Sequence, residues 1–238
     1  MDMSGFRIFL DTAEVDEIRA AASTGLINGV ATNPRKIMLS GKTYRQVLDE
    51  IRAFFDGPIA FQALGRDIDE VCRHAREIHA MDPCLAVKVT ANGFGLAAVK
   101  RLAAEGVRTN ATLIYNPTQA LMAALAGSPF ISPFIGRARM TGSDGIAAIG
   151  TMRQLLDAWN LTETCIIGAS IKDVEQVIQV ILAGAHSVAI PFAVFEAMMD
   201  HPMTALGLEG FLDAAAQSGN GRADGARSVR TDEPAQTR

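Results

Sequence analysis

"IDEVCRHAREIHAMDPCLAVKV", residues 68–89, holds one full turn of the pattern that decides the fold. Ile68, Val71, Cys72, Ala75 and Ile78 recur at helical spacing, with Asp69, Glu70, Arg73, Arg76 and Glu77 on the other side. That period predicts an amphipathic helix over 68–81. Pro83 and Cys84 lead into Leu85–Val89, a short apolar run of the kind that forms a strand buried on both faces. Lys88 interrupts the run, although buried strands avoid ammonium groups.

The same helix-strand alternation runs outward in both directions. Strands are predicted at Phe6–Asp11, Gly29–Asn33, Pro58–Leu64, Leu85–Val89, Arg108–Ile114, Phe130–Arg137, Cys165–Ser170 and Ser187–Pro191. Helical patterns occupy Glu14–Ala22, Tyr44–Phe55, Ile68–Met81, Leu96–Glu105, Pro117–Ala126, Gly145–Trp159, Lys172–Ala183 and Phe192–Asp200. Gly25, Gly106, Gly127 and Gly184 stand just ahead of strands, where helices end. Alternating βα units imply a parallel sheet, and eight of them in 238 residues imply a closed (β/α)8 TIM barrel. A doubly wound open sheet is the alternative; against it, the first turn, Asp11-Thr12-Ala13-Glu14, has no Gly-rich phosphate loop. An extra C-terminal helix over Met203–Ala216 is expected to cover the barrel or a neighbouring copy. One domain is expected over 1–217. Ser218–Arg238 holds a single valine among small and polar residues and is expected to be a disordered tail.

Bulk composition narrows the function. Hydrophobic residues make up 49% and charged residues 20%, enough to build a large core. The net charge of −4 supplies no basic excess for nucleic acid. Cys72, Cys84 and Cys165 are far apart and form no CxxC or His/Cys cluster, so no zinc site, metal or disulfide framework is expected. His74 and His79 fall on a helix and read as surface residues, and His186 and His201 point to no site. Met1–Gly5 is too short and polar for a signal peptide, and no apolar run approaches membrane-spanning length. A cytoplasmic protein without a membrane partner is expected.

The carboxyl ends of barrel strands carry the chemistry. Seven of the eight predicted ends hold polar residues: Asp11 and Thr12; Thr32 and Asn33; Gln62; Lys88; Asn110 and Thr112; Arg137; and Ser170, with Lys172 opening the next helix. Each has a plainer reading. Asp11 reads equally as a helix N-cap with Glu14 three residues on. Asn33 before Pro34 reads as a turn residue. Gln62, Asn110 and Thr112 read as satisfied core groups, Arg137 as a surface ion-pair partner and Ser170 as a helix cap. Their convergence on one mouth is the pattern of an active site.

Lys88 is the hardest to explain away, although a lysine can snorkel its head to the barrel end. Apolar walls disfavour its ammonium form. A neutral amine attacks a carbonyl carbon to form a Schiff base, and the protonated imine then serves as an electron sink without a metal or other cofactor. Of the five lysines, Lys36, Lys42, Lys100 and Lys172 lie on predicted loops or helices; only Lys88 is on a strand. Asp11, the only carboxylate at a strand end, is the candidate acid/base. Gln62 and Thr112 suit a catalytic water, Asn33 and Asn110 sugar hydroxyls, and Arg137 and Ser170 an anionic end group. Ser170 is also expected to present a helix N-terminus to that anion.

The segments "FLDTA", "GVATNP", "FQAL", "AVKV", "TNATLIYNPTQALMAALAG", "ISPFIGR" and "IIGASIKDVEQV" together resemble the transaldolase family, in particular its short-chain branch with fructose-6-phosphate aldolase. The resemblance runs from about Phe6 to Met199. It implies a (β/α)8 barrel and places the Schiff-base lysine at Lys88, the acid/base aspartate at Asp11 and the substrate asparagine at Asn33. It places the water-binding threonine at Thr112 and the phosphate ligands at Arg137 and Ser170. It implies transfer of a dihydroxyacetone unit from fructose 6-phosphate to an aldehyde, with a homo-oligomer as the expected assembly.

The chain also departs from that family. Arg35 follows Thr32-Asn33-Pro34 where the family has serine, and Thr90–Gly95 replaces a turn with a hydroxyl and a glutamate. Gln62 resembles the aldolase branch, whereas Phe134 and Asn110 resemble transaldolases. Without a tyrosine hydroxyl at Phe134, release of the three-carbon unit to water should slow, which favours a transferase. The alternatives are a lyase releasing dihydroxyacetone, a non-catalytic sugar-phosphate binder, and a transaldolase for another anionic ketose such as sulfofructose. Arg35 is either a solvated loop residue or an added cation that selects such a ketose.

Overall fold

The structure is a computed structural model that describes residues 6–138, 140 and 142–217. The expected tail therefore lies outside the described residues. Eight parallel strands close a barrel in sequence order: β1 (Arg7–Leu10), β2 (Gly29–Ala31), β3 (Ile59–Gln62), β4 (Ala86–Thr90), β5 (Thr109–Ile114), β6 (Phe130–Pro133), β7 (Cys165–Gly168) and β8 (Ser187–Ile190). Pairing of Leu10 with Ile190 joins β1 to β8 and leaves no edge, so the open sheet is excluded.

Helices follow the strands. They are α1 (Val15–Ser23), α2 (Pro34–Leu39), α3 (Tyr44–Arg52), α4 (Ile68–Met81), α5 (Gly93–Ala104), α6 (Pro117–Leu125), α7 (Ile135–Ala138), α8 (Gly145–Ala158), α9 (Val174–Leu182), α10 (Phe192–Ala197) and α11 (Pro202–Gln217). Side chains supply the caps that the sequence signals. Asp67 accepts from Glu70 N–H at 2.8 Å to open α4, and Thr43 and Gln46 form a reciprocal capping box at α3.

Strand side chains alternate between two apolar layers. The outer layer packs Val87, Val89 and Ile131 against helix residues such as Val71, Ile78 and Leu102. The inner layer is separate and made largely of small residues: Ala31, Ala60, Ala86, Ala169 and Ala189, with Phe9, Phe130 and Ile167. Larger side chains usually fill a barrel interior; alanines leave space there.

Two expectations need correction. β6 ends at Pro133, so Arg137 sits on the short helix α7 rather than at a strand end. The helix after β7 starts at Val174 and is capped by Asp173, which accepts from Gln176 N–H at 2.8 Å; Ser170 neither caps it nor begins it.

The chain divides into two compact units, the first ending at Met198 and the second beginning at Met199. Helix α11 belongs to the second, and its side chains from Pro202 to Ala216 are exposed, Leu206, Phe211 and Leu212 among them. No helix among the described residues is long and apolar enough to cross a membrane.

Candidate active site

A cavity of about 740 Å³ opens at the carboxyl ends of the strands and continues down the alanine-lined interior to Cys84 and Arg108. Eleven of the twelve candidate residues line it: Asp11, Asn33, Arg35, Gln62, Lys88, Asn110, Thr112, Phe134, Arg137, Ser170 and Lys172. Thr32 is the exception. Its hydroxyl donates to the Ala60 carbonyl at 2.8 Å, tying β2 to β3, and only its own carbonyl reaches the site.

Lys88 lies on β4 between Gln62 of β3 and Asn110 of β5. It is 9% exposed, and its Nζ donates to the Thr32 carbonyl at 3.0 Å. Burial pushes its pKa below the ordinary 10.5; the Asp11 carboxylate pulls it back up, and the Lys36 cation pushes it down. The snorkelling reading does not fit a head group enclosed in this way.

Asp11 follows β1 and does not cap α1. Thr12 Oγ1 takes the Glu14 N–H at 3.1 Å instead, and the capping position, Glu14, makes no side-chain cap. The Asp11 carboxylate accepts from Lys36 Nζ at 3.2 Å, and the same ammonium reaches the Asp11 carbonyl. Lys36 is not among the candidates that the sequence singles out. Asn33-Pro34, an N-cap followed by proline at the first helical position, is the signal that α2 begins there.

The remaining polar groups are held from behind. Asn33 caps α2, its Oδ1 accepting from Lys36 N–H at 3.0 Å. Gln62 Nε2 donates to the carbonyls of Lys88 and Ala63, both at 3.1 Å, so its Oε1 is the acceptor left for a ligand. Asn110 Oδ1 accepts from Ser132 Oγ at 2.8 Å; Ser132, also on the cavity wall, is another residue the sequence did not single out. The Thr112 hydroxyl is buried and has no hydrogen-bond partner among the described residues, so the satisfied-core reading does not describe it.

On the far wall, Phe134 stands edge-on to Tyr115 with centroids 6.0 Å apart, and the Arg137 guanidinium lies 5.4 Å from the Phe134 ring centroid. Ser170 adopts φ +60°, unusual for a residue with a Cβ. Its carbonyl accepts from Gly136 N–H at 3.1 Å. A Cβ on Gly136 would stand 2.3 Å from that oxygen, so only glycine lets the α7 turn, and Arg137 with it, dock beside Ser170. Among the described residues no cluster of His, Cys, Asp and Glu suited to a metal is present.

The divergent turn after Lys88 is well built. Asn92 caps α5, accepting from Gly95 N–H at 2.8 Å, and Asn92 N–H donates to the Thr90 carbonyl at 2.9 Å.

Residues 8–233 match the family model described as transaldolase/fructose-6-phosphate aldolase. The chain belongs to that family. Its relatives include a probable transaldolase of Carboxydothermus hydrogenoformans, 42% identical over 86% of this chain and 95% of that protein. A probable transaldolase of Roseiflexus castenholzii is 43% identical over 87% and 95% respectively. A solved structure described as native KDPGal shares the fold, with a TM-score of 0.54 at 14% identity over 80% of this chain and 84% of that one. The chain is thus an enzyme of the transaldolase family, whose substrates are sugar phosphates and aldehydes.

Proposed function

We propose that this enzyme is a Schiff-base transaldolase that moves a dihydroxyacetone unit from a phosphorylated ketose such as fructose 6-phosphate to an aldehyde. The observation that carries the proposal is the enclosed Lys88 amine, favoured in its neutral form by burial. The Lys88 nitrogen adds to the ketose carbonyl carbon. The carbinolamine then loses water as its hydroxyl takes up a proton, leaving a protonated imine. Asp11 accepts the proton of the C4 hydroxyl, the C3–C4 bond breaks, and its electron pair passes into the imine to give an enamine and a free aldehyde. The enamine then attacks the acceptor aldehyde, whose oxygen takes the proton back from Asp11. Water, placed between Thr112 and Gln62, hydrolyses the new imine and frees Lys88.

Asn33 and Asn110 hydrogen-bond sugar hydroxyls, and Arg137, Ser170 and Lys172 hold the phosphate. Thr32 contributes through its carbonyl, which fixes the Lys88 amine. Arg35, exposed on the cavity rim, favours an anionic ketose. We further infer a cytoplasmic homo-oligomer: none of the three cysteines is paired, and the apolar side chains exposed on α11 suit another copy.

The test is borohydride reduction in the presence of fructose 6-phosphate, followed by peptide mass spectrometry. A mass increase on Lys88 is expected, and it should vanish in a folded Lys88→Arg variant. Failure of sulfofructose and phosphorylated ketoses alike to label Lys88 would overturn the mechanism. Gln62 supports a second reading, release of free dihydroxyacetone. If glyceraldehyde 3-phosphate accumulates without acceptor as fast as with it, the enzyme is a lyase.

A further inference from the structure

We propose that Lys36 is a positioning residue of this site: its ammonium holds the Asp11 carboxylate, so that Asp11 does not lock the Lys88 amine in an ion pair. The inference rests on the Schiff-base reading above. Lys36 enters the cavity from the first turn of α2, where Asn33 and Pro34 fix the start of the helix. Asn33 Oδ1 accepts the Lys36 backbone N–H, so cap and ammonium are set by the same turn. From there Lys36 Nζ reaches both the carbonyl and the carboxylate of Asp11. Lys88 Nζ meanwhile donates to the uncharged Thr32 carbonyl.

The arrangement addresses a conflict in the chemistry. Asp11 must be near enough to Lys88 to move protons at the substrate. A lone carboxylate at that place would favour the ammonium form of Lys88, which cannot attack a carbonyl. A second cation on the carboxylate opposes that pull and adds its own repulsion of an ammonium, as when a neighbouring cation activates a Schiff-base lysine. The effects on Lys88 run in these senses, Asp11 upward and Lys36 downward. The other ionisable groups on the cavity are Arg35, Arg137 and Lys172 at the rim and Cys84 and Arg108 at the opposite end. Burial acts most strongly on the Lys88 amine, and Asp11 and Lys36 are the charges that act on it next.

The experiment measures the rate of borohydride-trapped ketose adduct on Lys88 from pH 6 to pH 10 in wild type, Lys36→Met and Lys36→Arg. In Lys36→Met the pH for half-maximal rate should rise by about one unit, a roughly tenfold loss of rate near pH 7 that is recovered at high pH. Lys36→Arg, which keeps the charge, should stay near the wild-type midpoint. A merely structural role would lower the rate at every pH and leave the midpoint in place; that result, or an unchanged profile, overturns the inference. No adduct in wild type would instead refute the Schiff-base reading itself. Should Lys36→Met not fold, Lys36→Gln and Lys36→Arg carry the same comparison, and equal midpoints in the two refute the proposal.

Discussion

Replacing Gly95 by alanine sets a local rule against a tertiary one. Gly95 lies in the first turn of α5, and alanine is about 1 kcal/mol better than glycine inside a helix. On propensity alone, Gly95→Ala should stabilise. The structure predicts the reverse. The new Cβ would stand 1.9 Å from the Thr90 carbonyl oxygen and 2.9 Å from Asn92 Oδ1. The first contact is about 1.5 Å too short, and it is with backbone, which cannot swing aside as a side chain can. Overpacking of this kind costs about 3 kcal/mol, so the net loss is about 2 kcal/mol, or a fall in Tm of about 6 °C for a chain of this size. Gly93 is the control: nothing lies within 4 Å of its Cβ and its φ is not positive, so Gly93→Ala should be neutral or slightly stabilising. Urea unfolding followed by circular dichroism and by the fluorescence of Trp159, the only tryptophan, gives the two midpoints and tests two-state behaviour. The displacement also reaches the strand that carries Lys88, since Thr90 is the last residue of β4 and Lys88 stands two residues before it. Adduct yield on Lys88 should fall with stability. A Gly95→Ala protein as stable as wild type would refute the reasoning and would mean that the turn yields freely.

Two further predictions concern the charge and selectivity of the site. Burial holds the Lys88 pKa below its unfolded value, so at this residue the unfolded chain binds more protons, and the penalty Lys88 places on stability shrinks as pH rises towards about 10.5. Lys88→Met removes that dependence; it should be more stable than wild type at pH 7, with the gap closing towards pH 10, and a constant gap in chemical denaturation would contradict the burial argument. Phe134→Tyr restores a hydroxyl on the cavity wall, so dihydroxyacetone release relative to transfer should increase, read by coupled assays with and without acceptor; an unchanged ratio would remove Phe134 as the cause of transferase preference.

Much of this was legible in the residues because barrel strands and helices have distinct periods. Helix α4 has the predicted bounds, since its apolar positions repeat cleanly and Asp67 supplies the cap. Lys88 stood out because charge is rare in a strand buried on both faces. The misreadings came where local signals compete. The largely apolar stretch Phe130–Ile135 reads as one strand up to Arg137, although the chain turns after Pro133. Ser170 and Asp173 are both good capping residues, and only the fold chooses Asp173. Helix α2 has six residues, too few to display a period, and with it went Lys36. No one-dimensional signal brings Lys36 to Asp11, because the contact spans twenty-five residues and depends on the adjacency of β1 and β2.

The alanines of the inner layer separate two kinds of inheritance. Ala60 and Val87, on neighbouring strands, belong to different layers: Ala60 borders the cavity, whereas Val87 is packed against the surrounding helices. A change such as Ala60→Val subtracts volume from the cavity and leaves the helix-facing shell as it was. Substrate range can therefore drift through one set of alternating positions while foldability is conserved by the other, and a lineage can explore new sugars without first acquiring a sturdier barrel.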